Sequence, residues 1–130
     1  MADTFKFELV TPERMLMSQD VARAVIPGLE GQFTVLPHHA PLISALRPGV
    51  VEIALSDNRT TRIYVKGGFA EVDATTTTVL AERAWDLEGA DQSMIAGELA
   101  AAEAELTAAS TDTGRLLAVS AVEQLKALQR

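Results

Sequence analysis

The chain has 130 residues, no cysteine, 48% hydrophobic and 22% charged residues, and a formal charge of −7. That is one ordinary domain, or a small domain with an appendage, long enough to bury a core without staples. Without cysteine there are no disulfides, thiolate nucleophiles or thiolate-bound metals. The acidic balance argues against nucleic acid and against a polybasic hold on anionic lipid.

The first 88 residues read as short strands separated by turn signals. Phe5, Phe7 and Leu9 alternate with Lys6 and Glu8, which puts three apolar side chains on one face. Met15 and Met17 continue that habit. Ala22, Ala24 and Ile26 alternate with Val21, Arg23 and Val25, and Pro27-Gly28 then predicts a break. Gln32–Leu36 restarts the chain. Leu42–Leu46 is a short apolar run ended by Pro48-Gly49. Val51, Ile53 and Leu55 alternate with Val50, Glu52 and Ala54, and Ser56-Asp57-Asn58 is a turn. Ile63 and Val65 face one way while Arg62, Tyr64 and Lys66 face the other. Gly67-Gly68 permits a sharp bend before Phe69–Val72, and Thr75–Ala81 is a last strand. Eight to ten strands at this spacing predict an all-β sandwich or flattened barrel.

Composition changes at Asp86-Leu87-Glu88-Gly89. All prolines and aromatics precede that point, and Ala, Leu and Glu dominate after it. Two domains are therefore expected, residues 1–88 all-β and residues 89–130 helical. Asp91 is a fair N-cap. Ile95, Leu99, Ala102 and Leu106 make one apolar stripe; Leu117, Ala121, Leu125 and Leu128, with Val122 beside them, make another. Ser110–Gly114 interrupts the two, so the spacing predicts an antiparallel hairpin, marginal alone and needing a docking surface.

Signals for catalysis are poor. His38 and His39 are adjacent in a proline-framed loop, point apart, and have no companion carboxylate nearer in sequence than Glu30, so they make a weak metal site. Gly28-Leu29-Glu30-Gly31 lacks the ending of a phosphate loop and reads as a hairpin turn. Glu71 and Asp73 share a strand face, which does not give carboxylates opposed across a cleft. Trp85 reads as a hydrophobic plug between sheet and helices. No catalytic residue, cofactor or metal is expected. No run of about 18 apolar residues exists to span a bilayer. The N-terminus carries no apolar or Arg-rich leader, which predicts an intracellular, bacterial or plastid-encoded chain. On chemistry alone this is an interaction protein; a small ligand-binding β-sandwich and a His38/His39 metalloenzyme are the alternatives.

Specific residues carry a resemblance. Gly31-Gln32-Phe33-Thr34-Val35-Leu36-Pro37-His38-His39-Ala40-Pro41-Leu42, followed by Leu46-Arg47-Pro48-Gly49, resembles the pattern of the epsilon subunit family of F-type ATP synthases. Phe7–Glu13, Gly67–Val72 and Val79–Glu82 are similar to further segments of that family, in order along the whole chain. The resemblance implies a ten-stranded sandwich followed by two antiparallel helices, in a noncatalytic subunit of the central rotor stalk. It implies gamma-subunit contacts at His39, Pro41 and Leu42, and contacts to the loops of the membrane c-ring at Glu30, Gly31 and Gln32. The C-terminal helices would reach the alpha and beta subunits when extended and hinder ATP hydrolysis. The complex, and not the chain itself, would sit on the membrane, at the cytoplasmic face of a bacterial inner membrane.

Some relatives bind ATP through Ile/Leu-Asp-x-x-Arg-Ala. Here Ala90-Asp91-Gln92-Ser93-Met94-Ile95 keeps the aspartate and replaces the arginine by Met94, which removes a charge partner for phosphate. The second helix carries only Arg115, Lys126 and Arg130 as cations. Weak or absent ATP binding and modest inhibition are the expectation.

Overall fold

A computed structural model describes residues 3–89 and 91–129, so Ala90 of the altered motif and Arg130 lie outside the described residues. Seven strands precede two helices: β1 Phe5–Val10, β2 Met15–Gly28, β3 Gly31–Val35, β4 Leu42–Ala45, β5 Gly49–Leu55, β6 Thr60–Val72 and β7 Thr76–Asp86, then α1 Gln92–Ala108 and α2 Asp112–Leu128. The sandwich and the hairpin are as expected; the number of strands is lower because neighbouring segments fuse. Met15–Met17 and Val21–Ile26 join in β2, which ends at Gly28 as Pro27-Gly28 predicts; Pro27 still stands opposite Gln32 of β3, and its carbonyl accepts from the Arg47 N–H at 3.0 Å. Gly67 and Gly68 bend β6 without ending it, at φ 75° and 103°. A Cβ on Gly68 would collide with the Leu80 carbonyl, so the close crossing of β6 and β7 depends on glycine there.

The sheet closes on itself. Its order is β1-β7-β6-β5-β2-β3, and β1 also pairs with β2, so five strands form a flattened ring. Closure removes open edges. Only β3, hung on β2, and β4, hung on β6, lie outside that ring. All pairs are antiparallel except β1 with β7.

The alternations fill the ring as expected for β1 and β5, with Phe7, Leu9, Val51 and Ile53 fully buried. The register of β2 departs from strict alternation. An irregularity between Val21 and Arg23 lets Val21 and Ala24 both point inward, so Val21 joins the core rather than the Arg23 face. Met15 does not continue the buried habit: it is 53% exposed, at the bulged end of the β1–β2 ladder.

The hairpin lies on the outside of the ring. Asp91 caps α1, its carboxylate accepting from the Met94 N–H at 2.7 Å. Thr111 caps α2 by accepting from the Gly114 N–H at 3.0 Å, so Asp112–Gly114 already belongs to the helix. The two apolar stripes cover each other and also Tyr64 and Trp85 of the sheet. Trp85 stacks on Tyr64 at 5.5 Å between ring centres, with the Arg83 guanidinium 4.7 Å from the Trp85 ring. The expected plug is therefore a pair of aromatic rings. Ser120 fastens α2 to the sheet through a buried hydrogen bond from its hydroxyl to the Pro48 carbonyl, 2.8 Å long.

Candidate contact surfaces of the sandwich

The loop between β3 and β4 holds both histidines. His38 adopts a left-handed φ of 67° and its N–H donates to the Ala74 carbonyl at 3.0 Å. The His39 N–H donates to Leu36 O at 3.2 Å, and His39 Nδ1 lies 2.6 Å from Ala40 O. The two rings do not converge. His38 Nε2 meets Asp3, not Glu30, at 3.5 Å. Both those side chains are about three-quarters exposed, so the pair is worth little. No group of three metal-binding side chains occurs among the described residues.

This loop has a firm backing. The Asp73 carboxylate accepts from the backbone N–H groups of Thr75 and Thr76 at 2.9 and 2.8 Å, which holds its pKa below the usual aspartate value. That Asx turn presents Ala74 to His38. Proline at positions 37 and 41 fixes φ at either end of the histidine pair. His39 is half-buried, whereas Pro41 and Leu42 are exposed.

The turn from β2 to β3 carries Glu30, Gly31 and Gln32, all exposed. Gly31 has φ 146°, and a Cβ on Gly28 would stand 2.7 Å from Gly31 O. Glycine at both positions makes so narrow a turn feasible. A cleft of about 470 Å³ joins this turn to β4, lined among others by Glu30, Gly31, Gln32, Leu42 and Ile43. Leu42 thus lies beside the turn residues, while His39 and Pro41 stand apart from the cleft lining.

Two apolar residues of this end went unread in the sequence. Ile43 is 69% and Phe69 40% exposed. In the β4–β6 ladder Ile43 opposes Glu71 and Ala45 opposes Phe69, so Ile43 and Phe69 are diagonal neighbours on one outward face. The run Leu42–Leu46 looks like a core strand; Leu46 does join the core, whereas the place of β4 outside the ring exposes Leu42 and Ile43.

At the other end of the chain, Asp91 and Met94 have structural occupations. The aspartate caps α1, and Met94 packs against the hairpin's apolar cluster. A cleft of about 220 Å³ beside Gln92 and Ile95 is also lined by Arg62 of β6, a residue the sequence did not connect with the helices.

The fold is a flattened β-barrel with two proline- and glycine-framed loops at its surface and a helical hairpin docked on its flank. Residues 4–86 match the family model of the β-sandwich domain of the ATP synthase delta/epsilon chain. The ATP synthase epsilon chain of Maricaulis maris is 42% identical over 99% of this chain and 96% of that protein. That of Rhodospirillum rubrum is 41% identical over 98% of this chain and 96% of that protein. Among solved structures, a chain of the Euglena gracilis mitochondrial ATP synthase (OSCP/F1/c-ring) superposes with a TM-score of 0.73 at 24% identity. It covers 96% of this chain and 79% of that one, a likeness of fold. This chain belongs to the ATP synthase epsilon chain family.

Proposed function

We propose that this chain is the noncatalytic central-stalk subunit that couples rotation of the c-ring to the gamma subunit in a proton-translocating F-type ATP synthase. The observation that carries the reading is family likeness over nearly the whole chain and nearly the whole relative. The geometry supports it: torque transmission needs stiff contact points, and both loops are held by proline, glycine and backbone hydrogen bonds. In this reading His39, Pro41 and Leu42, with the outward Ile43 and Phe69, meet gamma, and Glu30, Gly31 and Gln32 meet the c-ring. The hairpin is the part that reaches alpha and beta. In this reading the chain reaches the membrane through the complex, on the cytoplasmic face; no described helix is long and apolar enough to cross a membrane.

Co-purification of the full chain with gamma and c-ring in stoichiometric amount is the expected result, and its failure removes the reading. Within it, His39→Ala weakens gamma binding more than His38→Ala, since the half-buried ring is the one in the family's histidine position. Equal and negligible effects would take both histidines out of the interface. Calorimetric titration with Mg-ATP is expected to give no saturable heat at millimolar ligand, because the arginine position is filled by the thioether of Met94.

A further inference from the structure

The turn between β2 and β3 is not held by its own ladder alone. Pairing stops at Gly28 and Gly31, leaving Leu29 and Glu30 beyond the last rung. What closes on them is a segment from much later in the chain. The Leu29 N–H donates to Ala45 O at 2.8 Å, Gly28 and Leu46 form an isolated bridge, and the Arg47 N–H donates to Pro27 O at 3.0 Å. The Arg47 side chain then reaches over the turn, and its Nη2 donates to the Leu29 carbonyl at 3.1 Å. There is no slack in this clasp: a Cβ on Gly49 would stand 2.9 Å from Pro27 Cβ.

Arg47 is a strange choice for stability. It is half-buried, forms no ion pair with a carboxylate among the described residues, and its Nε is buried without a hydrogen-bond partner. A donor left unmade in the interior is a net loss, and an apolar side chain of similar length would fill the space without it. What an apolar side chain cannot do is bond the Leu29 carbonyl. The guanidinium is planar and stiff, so it fixes that carbonyl in direction as well as distance.

We infer that Arg47 is the positioning residue of the Leu29–Gln32 turn, setting the orientation in which Glu30 and Gln32 are presented to the c-ring. The functional half of this statement rests on the ring-facing reading of the turn given above; the structural half does not. In this role Arg47 acts through the turn and not by contact with the ring.

The test uses the full chain, alone and bound to gamma, in four forms: parent, Arg47→Met, Arg47→Lys and the double variant Glu30→Ala/Gln32→Ala. Amide hydrogen exchange over residues 29–32 reads the turn. Capture of the chain–gamma complex by detergent-solubilised c-ring reads its use. Arg47→Met is expected to speed exchange and to weaken ring capture, each by about tenfold, the scale of a lost charge-assisted hydrogen bond. Gamma binding and exchange in β6 and β7 stay at parent values. Arg47→Lys, which keeps a donor able to reach Leu29 O, recovers part of both losses. Parent-like exchange and capture in Arg47→Met overturn the inference, as does Arg47→Lys behaving no better than Arg47→Met. Loss of gamma binding together with faster exchange in β6 and β7 also overturns it, because the role is then general to the fold. Unchanged capture by Glu30→Ala/Gln32→Ala removes the ring-facing reading instead, while exchange at Leu29 still decides whether Arg47 clasps the turn.

Discussion

The ring of strands and the hairpin keep their apolar residues from water by different means. In the ring, Phe7, Leu9, Ile26, Val51, Ile53 and Val65 are sealed on all sides by a sheet that closes on itself. In the hairpin, Ile95, Leu99, Ala121, Val122 and Leu125 are covered by one another on one side and by Tyr64 and Trp85 on the other. Removing the sheet would open the hairpin's core; removing the hairpin would leave the ring's core closed. The difference teaches what to expect of their stability: two separate equilibria, folding of the ring and docking of the hairpin on it.

The polar groups at the docking face sharpen this contrast. Ser120 to Pro48 is a buried bond, and the partly exposed pairs Lys66–Glu105 at 2.6 Å and Arg83–Glu98 at 3.4 Å also join the hairpin to the sheet. Against them stands the Tyr64 hydroxyl, buried with no partner among the described residues. Burial pushes the Tyr64 phenol well above its ordinary value, and Glu98 and Glu105 add to the shift. The ring holds a group of the same kind in the buried Thr77 hydroxyl.

The largest effect should come from the ring. Phe7→Ala empties a fully buried site and is expected to cost about 3–5 kcal/mol, lowering the thermal midpoint of sheet and helices together. Two separated transitions in that variant would contradict the dependence of the hairpin on the sheet. Leu125→Ala, in the hairpin, should cost about 2–3 kcal/mol and act locally. Helix amides lose protection while the β6–β7 amides keep theirs, and loss of both would show the two parts to be one cooperative unit.

Tyr64→Phe should work in the opposite direction. It deletes a stranded hydroxyl and keeps the ring on Trp85, so docking gains about 1 kcal/mol, read as slower exchange in α1 and α2. The sign with pH follows from the raised folded pKa. Below about pH 10 the phenol is neutral in both docked and open states and titrates in neither. Above it the open state ionises first, so docking weakens as pH rises toward the higher docked value. The phenylalanine variant should lose that part of the alkaline sensitivity, and an unchanged pH profile would show that Tyr64 does not gate the contact. Smallest of all, Lys66→Ala removes one partly exposed ion pair and should change docking by less than about 1 kcal/mol, with the residual effect fading in high salt. A larger, salt-independent loss would mean that the lysine stem, rather than its charge, supports the hairpin.

Much of this was legible in residue order. Alternation in Phe5–Leu9 and Val51–Leu55 named core faces that the structure keeps, and the spacing Ile95, Leu99, Ala102 named the buried side of α1. Asp91 was readable as a cap because capping is a bond to a neighbour three residues away. The loop of His38 and His39 could be singled out by its prolines. Its support by Ala74 could not, since that bond spans parts of the chain far apart in sequence.

By itself, then, the sequence determined what depends on neighbours within a turn or two: strand faces, helix stripes, caps, glycine bends, and the composition change after Asp86. Tertiary structure alone decided which apolar residues stay exposed. Ile43 and Phe69 have core-like side chains, yet Ile43 sits on β4, hung outside the closed ring, and Phe69 on the outer face of ring strand β6. It also decided that Val21 turns inward at an irregularity of β2, and that Arg47 reaches Leu29 across 18 residues. The physical reason is common to these cases. A side chain's own preference is set by its local backbone, but its burial and its hydrogen-bond partner are set by whatever strand the closed sheet brings against it, and that neighbour is not written nearby in the chain.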